Sequence, residues 1–216
     1  MTSLPLLPIL AALLFSPLPA EDPRVAVELD AAETPHLKKW GEDARDLVLE
    51  WHPRLVNLLP TDGFEPPRAI TLRIRKSDEG IGWTSGTTIT LSSHWLEKHP
   101  DDTGLVVHEL VHAVQSYPAG GPSWVTEGIA DYLRWAIYEG KAQDRFPRPK
   151  ERRGYRQGYQ VAAGFLLWLE STVSPGIVKK LNTAMRRGSY SDGIFEKEAG
   201  RPLDELWNAY AGLDAR

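Results

Sequence analysis

The chain has 216 residues, 42% of them hydrophobic and 25% charged, and its 25 Lys and Arg against 29 Asp and Glu give a net charge of −4. Such a length carries one domain with a real core, the composition excludes wholesale disorder, and the charge balance argues against a dedicated nucleic-acid binder. Cysteine is absent, which removes disulfides, thiolate metal sites and a cysteine nucleophile, so the six histidines and the carboxylates must carry any metal chemistry.

Residues 1–20 contain no charged side chain. The apolar run Leu6 to Phe15 has the length of a signal-peptide core, and Leu18-Pro19-Ala20 ends in a small residue before Glu21 and Asp22. The run is too short and too rich in proline for a comfortable membrane span. Lys and Arg are missing near Met1, so only the terminal amine supplies the positive start, and an uncleaved anchor is the alternative. The expectation is a cleaved signal peptide, a secreted or periplasmic product and no stable membrane insertion afterwards.

Residues 21–65 read as an N-terminal helical segment, because Leu37, Trp40, Ala44, Leu47, Val48, Trp51 and Leu55 recur at helical spacing. A turn-rich break from Pro60 to Pro67 follows. Residues 66–216 are expected to form the main domain. It opens with a half-buried strand at Ala69–Arg75, where apolar and polar residues alternate, and continues with a second β-branched stretch from Thr87 to Ser92. From Asp101 onward the pattern is helical almost to the end. Strands first and helices later predict an α+β domain.

The decisive segment runs from Asp101 to Gln115. Asp101, Asp102 and Thr103 are N-cap candidates, and the apolar run after them has no breaker before Pro118. On a helix His108 and His112 stand one turn apart, offset by about 40° around the axis, so both imidazoles can reach one Zn²⁺. Glu109 projects beside that position, where a carboxylate can take a proton from the attacking water. This is the HExxH arrangement.

Past the turn Tyr117–Pro122, Ser123 can cap a second helix running to Arg134. Glu127 and Asp131 lie four residues apart, on one face of it. A catalytic zinc needs a third protein ligand and an open position. Glu127 is the better placed for the ligand and Asp131 for a hydrogen bond to the far ring nitrogen of a ligand histidine, with the reverse assignment as the alternative. His36, His52, His94 and His99 have no partner at ligand spacing and read as structural or exposed. The basic stretch Arg145 to Arg156 reads as a solvated loop, with a rim for acidic substrate groups or an anionic surface as the alternative.

HELVHAVQ followed by WVTEGIADYLR resembles the gluzincin-type metallopeptidases, and more narrowly the basic secretory protein family of plants and its bacterial relatives. Later stretches extend the likeness: Arg156–Trp168, Val178–Arg186, Tyr190–Phe195 and Gly200–Trp207. The resemblance covers roughly residues 66 to 211. It implies a zincin-like domain with a small antiparallel or mixed sheet in its N-terminal part and a helical C-terminal part carrying the two motifs. It also implies a zinc-dependent endopeptidase acting on peptides or proteins, with His108, His112 and Glu127 as ligands and Glu109 as base. This chain departs from the family name in being mildly acidic, with a pI of about 5.9.

In the fold that the chain resembles, an edge strand before the HExxH helix holds the substrate by main-chain hydrogen bonds. Thr87–Ser92 is the expected edge, with Thr88 and Thr90 as substrate-binding residues. A donor for the developing oxyanion is also needed; Tyr155 and Tyr159 are candidates, and Tyr159 fits the family pattern better. The alternative function is a non-catalytic binding protein for peptides or cell-wall fragments that keeps zinc for structure, although such a site would not require Glu109.

Overall fold

The computed structural model describes residues 25–118 and 121–213; the expected signal peptide, residues 1–20, lies outside them. Four strands, β1 (Ala26–Asp30), β2 (Ala69–Arg75), β3 (Gly82–Ser85) and β4 (Thr88–Ser92), make one mixed sheet in the order β1-β2-β4-β3. β1, β2 and β4 run parallel, while β3 turns back antiparallel to β4 through a hairpin. The expectation of an α+β fold with a small mixed sheet in the N-terminal part is met.

Two features of the sheet depart from the sequence reading. The segment expected to be helical also contributes β1, whose Val27 and Leu29 alternate with Glu28 and Asp30 in the manner of a strand. The expected substrate edge at Thr87–Ser92 is an interior strand. β4 pairs with β2 on one side and β3 on the other, and Ile89, Thr90, Leu91 and Ser92 are all buried. Its main chain is therefore already spoken for, Thr88 and Thr90 cannot offer it to a substrate, and the exposed edge on this side is β3.

The long helix α1 (Lys38–Leu58) buries Gly41, Ala44, Val48, Trp51 and Leu55, the stripe that its sequence spacing predicts. It packs against β1 and against α3 (Gly104–Gln115). A short helix α2 (Ser93–Lys98) leads from β4 into α3, with the Ser92 hydroxyl accepting from the Trp95 amide at its start. α3 is buried almost all round; only His112 among its residues is half-buried. An all-buried helix belongs at the centre of a domain.

α4 (Ser123–Asp131) continues without a break into a π-helical stretch, Tyr132–Tyr138. α5 (Tyr159–Trp168), α6 (Ile177–Arg186), α7 (Gly193–Ala199) and α8 (Leu203–Ala211) complete the chain. α4 lies tightly on α5, because Gly128 faces Ala162 so closely that a Cβ on it would stand 2.8 Å from the alanine methyl. Trp124, Tyr155, Phe165, Trp207 and Tyr210 form a chain of stacked, edge-to-face and tilted ring pairs in the helical half, which adds to its packing. None of the helices among the described residues is long and apolar enough to cross a membrane.

Candidate metal centre

α3 is pinned at both ends. At its start the Asp102 carboxylate accepts from the Leu105 amide, so of the three N-cap candidates Asp102 does the capping. Asp102 also accepts from the buried guanidinium of Arg134, which donates in addition to Glu139 at 3.0 Å. Gly104 sits under this ion-pair cluster, where a Cβ would meet Glu139 Oε1 at 2.1 Å. At the other end Arg186 donates to the carbonyls of Val114 and Gln115 and to that of Leu59, past the end of α1. Those carbonyls have no partner within α3, so the arginine supplies what the helix terminus lacks.

A helix so held presents His108 and His112 on one face, and the turn between α3 and α4 brings Glu127 to them. One ligand atom from each of the three lies within 4.8 Å of the others. The Nε2 atoms of the two imidazoles are 3.1 Å apart, and Glu127 Oε2 is 3.4 Å from one and 3.5 Å from the other. The far nitrogens are both taken. His108 Nδ1 is 2.7 Å from Asp131 Oδ1, and His112 Nδ1 is 2.9 Å from Gln115 Oε1. The Gln115 amide is oriented by its own NH₂ group, which donates to the Thr126 carbonyl at 3.0 Å. Its Oε1 must then accept, so His112 carries its proton on Nδ1 and aims a lone pair from Nε2.

Three acceptor atoms converging on one point require a cation among them. A proton on His108 is one solution. Burial alone would push its imidazolium down, but the hydrogen bonds to Asp131 and Glu127 and the charges of Asp131 and Glu109 outweigh it and raise its pKa to about 9. Burial would likewise raise Glu127, yet the hydrogen bonds from both imidazoles draw it down to about 2. A divalent metal is the other solution, and two imidazoles with one carboxylate are the donor set that suits zinc. The residues present therefore fit the ion that the sequence implies.

Glu109 is buried, and its Oε2 accepts from the Thr84 hydroxyl at 2.8 Å. The group opens into a cleft of about 1850 Å³ whose lining includes Glu109, the three ligand candidates, Gly80–Thr84 on one side and Gln157–Val161 on the other. Tyr159 stands at the start of α5, 58% exposed, with its ring nearly parallel to that of His108 at 14° and 6.5 Å between centroids. Its backbone has φ of 44° directly after Gly158 at 70°, a left-handed pair in which only the glycine is at ease. The negative charge of Glu127 is the first cause that raises its phenol, which keeps it a donor. Tyr155, the other candidate, is buried in the aromatic cluster, donates to Asp204, and is pushed up to about 12 mainly by burial. It does not reach the cleft.

The structure thus brings together His108, Glu109, His112, Glu127, Asp131 and Tyr159, and leaves Thr88 and Thr90 outside. Two neighbours escaped the sequence reading. Gln115 is three residues past His112 on the same helix, so spacing alone could have shown it; Thr84 is 25 residues from Glu109 and meets it only through the sheet. His36 pairs with Glu97, His94 with Asp78, and His99 stacks on Trp95. His52 is buried, and burial lowers its pKa. None of the four joins a metal-ligating group among the described residues.

No curated protein and no solved structure matches the chain significantly. Among protein families, residues 35–210 match the one described as BSP, peptidase of plants and bacteria. The match takes in α1 as well as the two motif helices, which accords with the packing of α1 on α3. The chain belongs to this family, the basic secretory proteins, a peptidase family of plants and bacteria.

Proposed function

We propose that the protein is an exported, zincin-like zinc metallopeptidase of the gluzincin type, cleaving peptide bonds within an extended segment. The observation that carries this reading is the convergence of His108, His112 and Glu127 beside the buried Glu109 at the floor of an open cleft. A structural zinc site would be closed by a fourth protein ligand and would have no use for a neighbouring base.

His108, His112 and Glu127 would hold the ion. When bound, zinc supplies a Lewis acid that makes water a nucleophile near neutral pH and polarises the scissile carbonyl. Glu109 accepts the proton of the attacking water and passes it to the leaving amine. Tyr159 donates to the oxygen on which negative charge develops. Asp131 and Gln115 keep the Nδ1 protons in place and so hold both Nε2 lone pairs on the ligand point. The peptide lies along β3, the exposed edge, where main-chain groups can pair with an extended chain. Residues 1–20 support export, either into a periplasm or beyond the cell.

The test is cleavage of a mixed peptide library by the zinc-loaded chain, with Glu109→Gln as matched control. Cleavage by the wild type that vanishes in the variant, with zinc retained in both, is the expected result. No cleavage by a folded wild type that carries zinc would replace the peptidase by a peptide-binding protein.

A further inference from the structure

Residues of β3 alternate between the two faces of the sheet, and both of its residues on the α3 side lie next to the Glu109 carboxylate, Thr84 in contact with it and Gly82 with only the room of a missing side chain between them. Thr84 is hydrogen-bonded to Oε2 at 2.8 Å. On the other oxygen, a Cβ built on Gly82 would stand 3.3 Å from Oε1, and would crowd Leu91 and Leu105 at 3.1 and 3.3 Å. One residue grips the carboxylate and the other leaves it room. Glu109 is 4% exposed, and the bond from Thr84 is the only hydrogen bond that its carboxylate receives among the described residues.

The Thr84 hydroxyl has a single proton and two acceptors in reach, Oε2 at 2.8 Å and the Glu109 backbone carbonyl at 2.9 Å. That carbonyl lies inside α3, where it also accepts the ordinary helical bond from four residues on. The carboxylate oxygen, which has no other hydrogen bond among the described residues, is the better acceptor and takes the proton. One lone pair of Oε2 is thereby committed, which fixes the carboxylate rotamer and leaves Oε1 to work.

We infer that Thr84 is the positioning residue of the base. This rests on the peptidase reading and deepens it: the edge strand that would receive the substrate also holds Glu109, so the scissile bond and the base are registered on the same short piece of chain. A base set by its own helix alone would move with α3 relative to the substrate strand. A base tied to β3 cannot, and displacements of about 1 Å at a reacting centre cost on the order of 10²-fold in rate.

The experiment compares wild type, Thr84→Val and Thr84→Ser on a peptide that the wild type cleaves, with zinc stoichiometry and thermal midpoint measured on each. Valine is nearly isosteric and favours strands, so the fold is kept while the hydroxyl is lost. The expected result is a kcat lowered by about 10- to 10²-fold in Thr84→Val, KM within about twofold of wild type, zinc content unchanged, and most of the rate restored by Thr84→Ser. Placed on Glu109→Gln, Thr84→Val should lower the residual rate no further and leave peptide affinity alone, because residues acting as one unit are not additive. Gly82→Ala, which presses on Oε1, should also lower kcat with KM kept. A Thr84→Val enzyme as fast as wild type, or one whose loss lies in KM and is not rescued by serine, overturns the inference and leaves the peptidase reading standing. A folded, zinc-loaded wild type that cleaves nothing overturns both.

Discussion

Asp131 sits 2.7 Å from His108 Nδ1, with both side chains buried, and that contact decides what the other nitrogen of His108 is free to do. With its Nδ1 proton held by a carboxylate, the ring cannot rotate and its Nε2 faces His112 and Glu127. Asp131 comes from α4, one turn after Glu127, so a single helix supplies both one candidate ligand and the anchor of another.

Asp131→Asn keeps the shape and loses the charge. It should weaken zinc binding by about 10- to 100-fold without unfolding the protein. Competition with a chelator measures this directly. Glu127→Ala should cost far more, since it removes a ligand. Zinc affinity kept in Glu127→Ala but lost in Asp131→Asn would make Asp131 the third ligand in place of Glu127.

Gln115 does for His112 what Asp131 does for His108, with a neutral amide. It also ties α3 to α4 through the Thr126 carbonyl. Gln115→Leu should therefore reduce zinc affinity by about tenfold and destabilise the fold by about 1–3 kcal/mol, the cost of leaving buried polar groups unpaired. Chelator competition and urea unfolding read the two effects separately. A loss of stability with unchanged affinity would confine Gln115 to helix packing.

Tyr159 is the one candidate that is mostly exposed, at 58%, so its hydroxyl can be removed with little effect on stability. Tyr159→Phe should lower kcat by about 10²- to 10³-fold, as loss of an oxyanion donor does, with KM nearly unchanged. Turnover at the wild-type level would make the ring a wall of the cleft and nothing more.

Much of this site was legible in the sequence because its geometry is local. His108, Glu109 and His112 are fixed relative to one another by one helix, Glu127 and Asp131 by the next, and helical periodicity says which face each shares. The stripe of α1 could be read for the same reason. What escaped depends on how strands are ordered. Thr87–Ser92 has the composition of an edge strand and of an interior strand alike; only the pairing of Gly82–Ser85 along its flank decides between them. β3 itself is four residues long with a glycine at its start, too short to show a period. The Thr84–Glu109 contact needs both facts at once and so has no signature along the chain. β1 did alternate, yet its five residues were overshadowed by the long helical pattern behind them.

Arg134 offers the sharpest test of how the site is held together. Its guanidinium is buried and paired with Asp102 at the start of α3 and with Glu139 just past the π-helical stretch after α4, so it bridges the ends of the two helices that carry the candidate ligands. Replacing it by methionine keeps the volume and leaves the largely shielded Asp102 carboxylate without its counter-charge, while Glu139 is exposed and can turn to solvent. Breaking a buried pair from one side costs about 3–5 kcal/mol, and urea unfolding of Arg134→Met should show a loss of that order. Because the Arg134–Asp102 pair is largely shielded from solvent, most of the loss should persist in about 1 M salt, where surface pairs are screened. The same variant should bind zinc more weakly than wild type even where it is fully folded, since the spacing of His108 and His112 from Glu127 is no longer clamped. Weaker folding with undiminished zinc affinity would instead mean that the turn between α3 and α4 sets that spacing without help from the arginine.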